Sequence, residues 1–235
     1  MKIEQEKRVT KMNSKKSTGI QALDRRLDGG LPNGSVVLFR SSPKSMSEIF
    51  LYYFAAAQKA YYFATDRAPK YVKQNINGFG LNSDNISFID IYDQYRKNVD
   101  SKRDETILAY FSDELEKLRQ DEDFVCIIDT YSFFLELDVD HGRIRELLDQ
   151  IYEMSKETNS VSYLYVLKGA YEEKIIEAHS NTCDVIFDIE SERVGECIYN
   201  RLLIPKIRGI FPVPTQFIKY QIIDGIQIDT SMYIA

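Results

Sequence analysis

The 235-residue chain has no tryptophan, only two histidines and only three cysteines. His141 and His179 are far apart and lack metal-ligand spacing, so no metal centre is expected. Cys126, Cys183 and Cys197 form no CxxC pair. That removes a redox motif or a disulfide framework and leaves thiols packed in the core of a reducing, cytoplasmic protein. Positive charge is not in excess either. Thirty Lys and Arg stand against 36 Asp and Glu, for a net charge of −6. Nucleic-acid surfaces are usually basic, so DNA or RNA is not the expected partner. No uncharged run approaches the roughly 18 residues of a membrane span. The opening MKIEQEKRVTKMNSKKS lacks the apolar stretch of a secretory leader. A membrane partner is therefore not expected, and there is no internal repeat or low-complexity tract to indicate an array.

What remains is ordinary for one domain with a sizeable core: 44% hydrophobic and 28% charged residues. Residues 1–16, with Arg8, Lys11, Lys15 and Lys16, read as a charged solvated arm, or else as an added edge strand. Residues 17–235 read as a single domain. Strands alternate with helices through most of it. Ser35–Phe39, Tyr61–Thr65, Ser87–Ile91, Phe124–Thr130 and Ser162–Leu167 are short runs rich in β-branched and aromatic residues. Helices are expected over Glu48–Ala60, Pro69–Asn77, Asp104–Arg119, Gly142–Thr158 and Tyr171–His179, with Phe50, Tyr53, Phe54 and Ala57 on the inward face of the first. FVCIIDT at Phe124–Thr130 is continuously apolar up to its acid, as in a strand buried on both faces. After residue 183 the helices stop. Asp184–Glu190, Cys197–Ile207 and Gln216–Ile228 read as strands, with Asp224-Gly225 as a hairpin turn. The fold class is therefore α/β, a mostly parallel central sheet flanked by helices with antiparallel strands at the end. Ligands of such sheets sit beyond the carboxyl ends of the strands, where Ser41, Asp66, Asp129 and Lys168 fall.

Four segments in order resemble the KaiC branch of the RecA superfamily of P-loop ATPases. They are STGIQALDRRLDGGLPNGS at Ser17–Ser35, YFATDRAP at Tyr62–Pro69, FVCIIDT, and IPKIRG at Ile204–Gly209 followed by YQIIDGIQID. The resemblance implies a RecA-like fold from about Ser17 onward. It implies a Walker B acid at Asp129 and the first of two catalytic carboxylates at Asp66. It also implies a Lys-x-Arg pair, Lys206 and Arg208, that reaches a neighbouring subunit's ATP. KaiC-like proteins of prokaryotes are linked with signalling and regulatory complexes.

The chain departs from the family directly after the first strand. A phosphate loop needs glycines so that backbone N–H groups can curl around phosphate, a lysine for charge, and a hydroxyl for Mg²⁺. Here the stretch is Ser41, Ser42, Pro43, Lys44, Ser45, Met46, Ser47 and Glu48. Aligned without gaps, Ser41, Lys44 and Met46 replace glycines, Ser47 replaces the lysine, and Glu48 replaces the magnesium hydroxyl. Losing that lysine removes a charge-assisted contact worth about 1.5–3 kcal/mol. Ser45-Met46-Ser47-Glu48 fits a capping box, and Ser42 with Pro43 offers the alternative helix start. Either register fills the site from within. The second acid position holds Arg67, which breaks the acidic pair. Without a magnesium site, Asp129 reads as an acid closing a strand, Asp66 as a solvated loop acid, and both as vestiges of catalysis. Tyr52, Tyr53, Tyr61 and Tyr62 read as core or interface aromatics.

The expectation is thus a non-catalytic RecA/KaiC-like module that binds a protein partner, either a related active ATPase or a second copy, and holds no cofactor. Lys206 and Arg208 are its candidates for a trans-acting contact. The alternative is a diverged ATP-binding protein or weak ATPase that uses Lys44 and Asp129 with ATP and Mg²⁺. A recombination accessory acting on DNA is the third reading, disfavoured by the acidic charge.

Overall fold

The computed structural model describes residues 14–171, 173–194, 197–210, 217–223 and 225–228, with backbone alone at 193, 194 and 197. Residues 1–13 of the charged arm, Gln216, Asp224 and the Cys197 side chain lie outside the described residues. The chain opens with β1 (Lys15–Lys16), α1 (Gln21–Arg26) and β2 (Leu31–Pro32). It continues through β3 (Val36–Ser41), a 3-10 turn (Pro43–Ser45), α2 (Glu48–Ala56), β4 (Ala60–Ala64), α3 (Pro69–Gly78), β5 (Ile86–Asp90) and α4 (Ile91–Lys97). Then follow α5 (Arg103–Leu118), β6 (Val125–Asp129), α6 (Ser132–Leu135), α7 (His141–Thr158), β7 (Val161–Leu167), α8 (Glu173–Thr182), β8 (Val185–Val194), β9 (Cys197–Ile207), β10 (Ile218–Ile222) and β11 (Ile226–Ile228).

Among the described residues nine strands form one sheet in the order β11-β10-β9-β8-β3-β7-β6-β4-β5. β3 through β8 run parallel, and β9, β10 and β11 extend the sheet antiparallel from β8. Period-two alternation on the central strand sends Val37 and Phe39 to one face and Val36 and Leu38 to the other, all fully buried. The first face is covered by α1, α2 and α3 with a ladder of aromatic rings, among them Phe54 stacked on Tyr163 at 4.3 Å. The second is covered by α5, α7 and α8 through Ile107, Phe111, Leu147, Ile151 and Ile176. Cys126 and Cys183 are buried free thiols, and burial pushes both up to about 12, so they are core fillers.

Two local expectations change. α2 is not amphipathic along Phe50, Tyr53, Phe54 and Ala57. Ile49, Phe50, Leu51, Tyr52, Phe54 and Ala55 are all buried, whereas Tyr53 is half-buried and Ala57 exposed. The helix is covered on both flanks, by Phe79 against Tyr52 and by Tyr220 of β10 against Phe50, with ring centroids 6.2 and 4.9 Å apart. The solvated arm also ends earlier than residue 16. Lys16 is 5% exposed and bonds Asp123 at 2.6 Å, while Lys15 bonds the Leu27 and Asp28 carbonyls at the end of α1. Lys15 and Lys16 pair with Pro32 and Leu31 in a separate two-stranded sheet, which is not part of the central sheet. No helix of the described residues is long and apolar enough to cross a membrane.

Candidate functional site

The turn leaving β3 is where the resemblance to P-loop ATPases implies a phosphate loop. Ser42 is extended, and its hydroxyl accepts weakly from the Lys44 N–H at 3.4 Å. Pro43, with its φ fixed by the ring, opens the 3-10 turn. The Ser42–Pro43 register is therefore the one adopted, and the capping box of Ser45 and Glu48 does not form. Met46 is the reason. It takes left-handed backbone, φ 51° and ψ 30°, which breaks the helical path between Ser45 and Ser47. Ser47 then starts α2 with no side-chain cap bond.

The three serines turn inward instead. The Ser45 hydroxyl donates to the Ser42 carbonyl at 2.6 Å and lies 2.6 Å from Ser41 Oγ. The Ser47 hydroxyl bonds Ser41 and lies 3.0 Å from the Tyr165 hydroxyl of β7. All four side chains are buried, and burial pushes the Tyr165 phenol up to about 12, so it remains a hydroxyl. Lys44 points outward and is exposed, with no ion-pair partner among the described residues, and Met46 is 54% exposed. Glu48 occupies the first turn of α2, where its charge favours the helix dipole.

Beside this knot, Asp129 closes β6 at 2% exposure, and its Oδ2 has no hydrogen-bond partner. Burial pushes the carboxyl up to about 6, against the opposing pull of the Arg67 guanidinium. The buried hydroxyls of Tyr52 and Tyr62 lie beside it, and that of Tyr62 works with Arg67 to hold the carboxyl down. Arg67 is half-buried; burial works against its charge, but Tyr52, Asp129, Tyr62 and Glu48 hold its pKa up. Asp129 is a buried carboxylate that closes β6 and feels the positive charge of Arg67. Thr130 carries the turn out of β6 at φ 75°, strained for a β-branched residue by about 1–3 kcal/mol. Its hydroxyl donates to Asp66 at 2.7 Å; Asp66 is an exposed residue whose carboxyl is nonetheless raised above its ordinary pKa by partial burial, against the opposing pull of the Thr130 bond.

The other predicted residues stand apart from this cluster. Lys168 donates to the Ile189 carbonyl at 2.7 Å and pairs with Asp188. Lys206 Nζ donates to the carbonyls of Ser180 and Asn181 at 2.8 and 3.0 Å, and Arg208 to those of Asn181 and Thr182 and to Asp184. Both cations therefore cap the C-terminus of α8, where carbonyls lack helical partners and the dipole favours positive charge. No cluster of His, Cys, Asp and Glu among the described residues is arranged to hold a metal. Sequence reasoning missed the roles of Arg67, Tyr62 and Tyr165. The signal for Arg67 was present, an opposite charge at a position where the family has an acid.

Residues 15–235 match the model of a family of unknown function, DUF7125. No curated protein matches the chain. The flagellar accessory protein FlaH from Methanocaldococcus jannaschii superposes with a TM-score of 0.70 at 15% identity, over 89% of this chain and 95% of that one. The KaiC-like protein PH0186 from Pyrococcus horikoshii OT3 superposes with a TM-score of 0.70 at 16% identity, over 92% and 99%. The chain has a RecA/KaiC-like fold. Identities this low establish the fold and say nothing of activity.

Proposed function

Given that the chain belongs to the family of unknown function DUF7125, we propose that it is a non-catalytic RecA/KaiC-like domain that works by binding another protein, in a regulatory or signalling role, and does not take up ATP in the usual way. The observation that carries this reading is the buried hydroxyl knot of Ser41, Ser45, Ser47 and Tyr165. A triphosphate needs inward-facing backbone N–H groups and a cation at that place. Here side chains hold the space, Met46 bears a side chain where bare backbone is required, and the only lysine of the turn faces solvent. Glu48 and the buried Asp129 add negative charge where phosphates would sit. A magnesium triphosphate does not fit this residue set.

A partner, not a substrate, is then the consistent role for a fold that keeps its whole sheet. A related ATPase or a second copy of the chain is the partner class that side-by-side RecA-like assembly favours. The experiment is thermal melting with ATP, Mg²⁺, both and neither, together with phosphate release. We expect no shift and no release above background. A rise of several degrees that requires both ATP and Mg²⁺ corresponds to a ligand at many times its Kd and sinks this reading. Phosphate release lost in Lys44→Ala and Asp129→Asn would establish the diverged ATPase in its place.

A further inference from the structure

Between α7 and α8 the fold leaves an open cavity of about 330 Å³, within the size range of small-molecule sites and lined by none of the residues of the β3–α2 turn. Residues at spacings of three and four on each helix face it, with Ile144, Leu148, Ile175 and Ala178 forming an apolar floor. Arg145 and Lys174 line it as well, and no carboxylate does. Neither cation has an ion-pair partner among the described residues, although Arg143, Glu146, Glu153, Lys156 and Glu157 of α7 and Glu173 of α8 all take part in ion pairs.

The second observation is His179, which also lines the cavity and is 8% exposed. Its Nδ1 lies 2.7 Å from the Ile175 carbonyl and so carries the proton. Burial lowers its pKa and Arg145 pushes the same way, which keeps the ring neutral. Nε2 is then a lone-pair acceptor, buried and without a partner. Tyr131 packs edge-on against the ring at 5.7 Å and fixes its plane. Most buried polar atoms are paired, so an unpaired one at the wall of a cavity is a candidate for contact with a ligand.

We propose that this cavity binds a small organic acid with an apolar body, an anionic head and a hydroxyl or N–H donor. The body lies on Ile144, Leu148, Ile175 and Ala178. The head pairs with Arg145 and Lys174, and the donor is received by His179 Nε2 once the ligand has displaced the side chains that cover that atom. The site is independent of the nucleotide question, since it shares no residue with the turn after β3.

The probe is 8-anilinonaphthalene-1-sulfonate, which has aromatic rings, a sulfonate and an N–H. Its neutral counterpart is N-phenyl-1-naphthylamine, the same body without the sulfonate. The full chain should bind the sulfonate saturably at one equivalent. Ala178→Trp, at an exposed position, should fill the cavity and abolish binding while the melting temperature stays native. Arg145→Gln with Lys174→Gln, both on the surface, should weaken the sulfonate about tenfold, the scale of one charge-assisted contact at an open rim, and leave the neutral dye unchanged. His179→Phe, which keeps the ring contact with Tyr131, should weaken both dyes. No saturable binding, native affinity in Ala178→Trp, or equal affinity in the charge variant each overturns the proposal.

Discussion

Replacing Asp129 by asparagine should stabilise the chain at neutral pH, the reverse of what removing a useful acid does. The carboxyl is 2% exposed with Oδ2 unpaired, and burial pushes it up to about 6 from an ordinary 3.8 despite the pull of Arg67. The folded chain therefore binds this proton more tightly than the unfolded chain does. Stability from this group falls as pH rises from about 4 to about 6, and the loss is complete above about 6. At 1.36 kcal/mol per pH unit the loss comes to about 3 kcal/mol. Asparagine keeps the shape and discards the charge, but puts an amide N–H where Oδ2 finds no hydrogen-bond partner. The net gain expected at pH 7.5 is about 1–2 kcal/mol, or about 2–8 °C in melting temperature for a domain of this size. Thermal melts of both proteins between pH 4 and pH 8 check it. The gain should shrink below pH 6, cross zero at about pH 5 and reverse by about pH 4. A lower melting temperature for Asp129→Asn at pH 7.5 refutes the reasoning, and so does a gain that is the same at every pH, which would come from packing and not from charge.

Gly30→Ala should cost about 3 kcal/mol or more, because a Cβ there would stand 2.2 Å from the Lys16 carbonyl oxygen at φ 127°. Gly80→Ala, at φ 72° with nothing within 4 Å, should cost about 1 kcal/mol, and urea unfolding of the two variants separates packing from backbone strain. Lys206→Ala with Arg208→Ala should destabilise the chain by about 1–2 kcal/mol through the freed end of α8. Mixed with a related ATPase, that variant should behave as the native chain does; a stimulation seen only with the native chain would place the pair at a partner's nucleotide instead.

How much of this was legible in the sequence follows from which physics each element obeys. Strands β3, β6 and β7 were readable because a strand buried on both faces must be continuously apolar, as FVCIIDT is. Helices α5 and α7 were readable from the period of their apolar residues, and their observed bounds differ from the expected ones by a residue at most. α2 misled because its burial comes from α3 and β10, which no local pattern encodes. Short pieces such as α1, α4 and α6 were missed, since four to seven residues carry less than two turns of periodicity. At the site, the missing glycines and lysine were plain in the letters. What replaced them was not, because the knot closes through Tyr165, 118 residues beyond Ser47, and through a left-handed Met46 that no propensity favours.

The signature shared with KaiC-like chains also separates into residues that serve the fold and residues that serve a ligand. Asp24 accepts from the Thr18 N–H at 2.8 Å, from the Thr18 hydroxyl at 2.7 Å and from the Ser17 hydroxyl at 2.5 Å, so the Ser-Thr-Gly-Ile…Leu-Asp pattern is a clamp on the entry to α1. Gly30 is required by the close approach of Lys16, and Lys206 and Arg208 by the end of α8. None of these needs a nucleotide. The phosphate loop is different, since bare glycine backbone gives a fold nothing when there is no anion to bind and costs it chain entropy. Where no anion binds, side chains that satisfy one another stabilise such a turn, and serines beside a tyrosine do so with hydroxyls that serve as both donors and acceptors. A fold signature that persists around a refilled loop is therefore what retention of shape without retention of ATP would leave behind, and the absence of a melting shift with magnesium ATP is the measurement on which that argument stands.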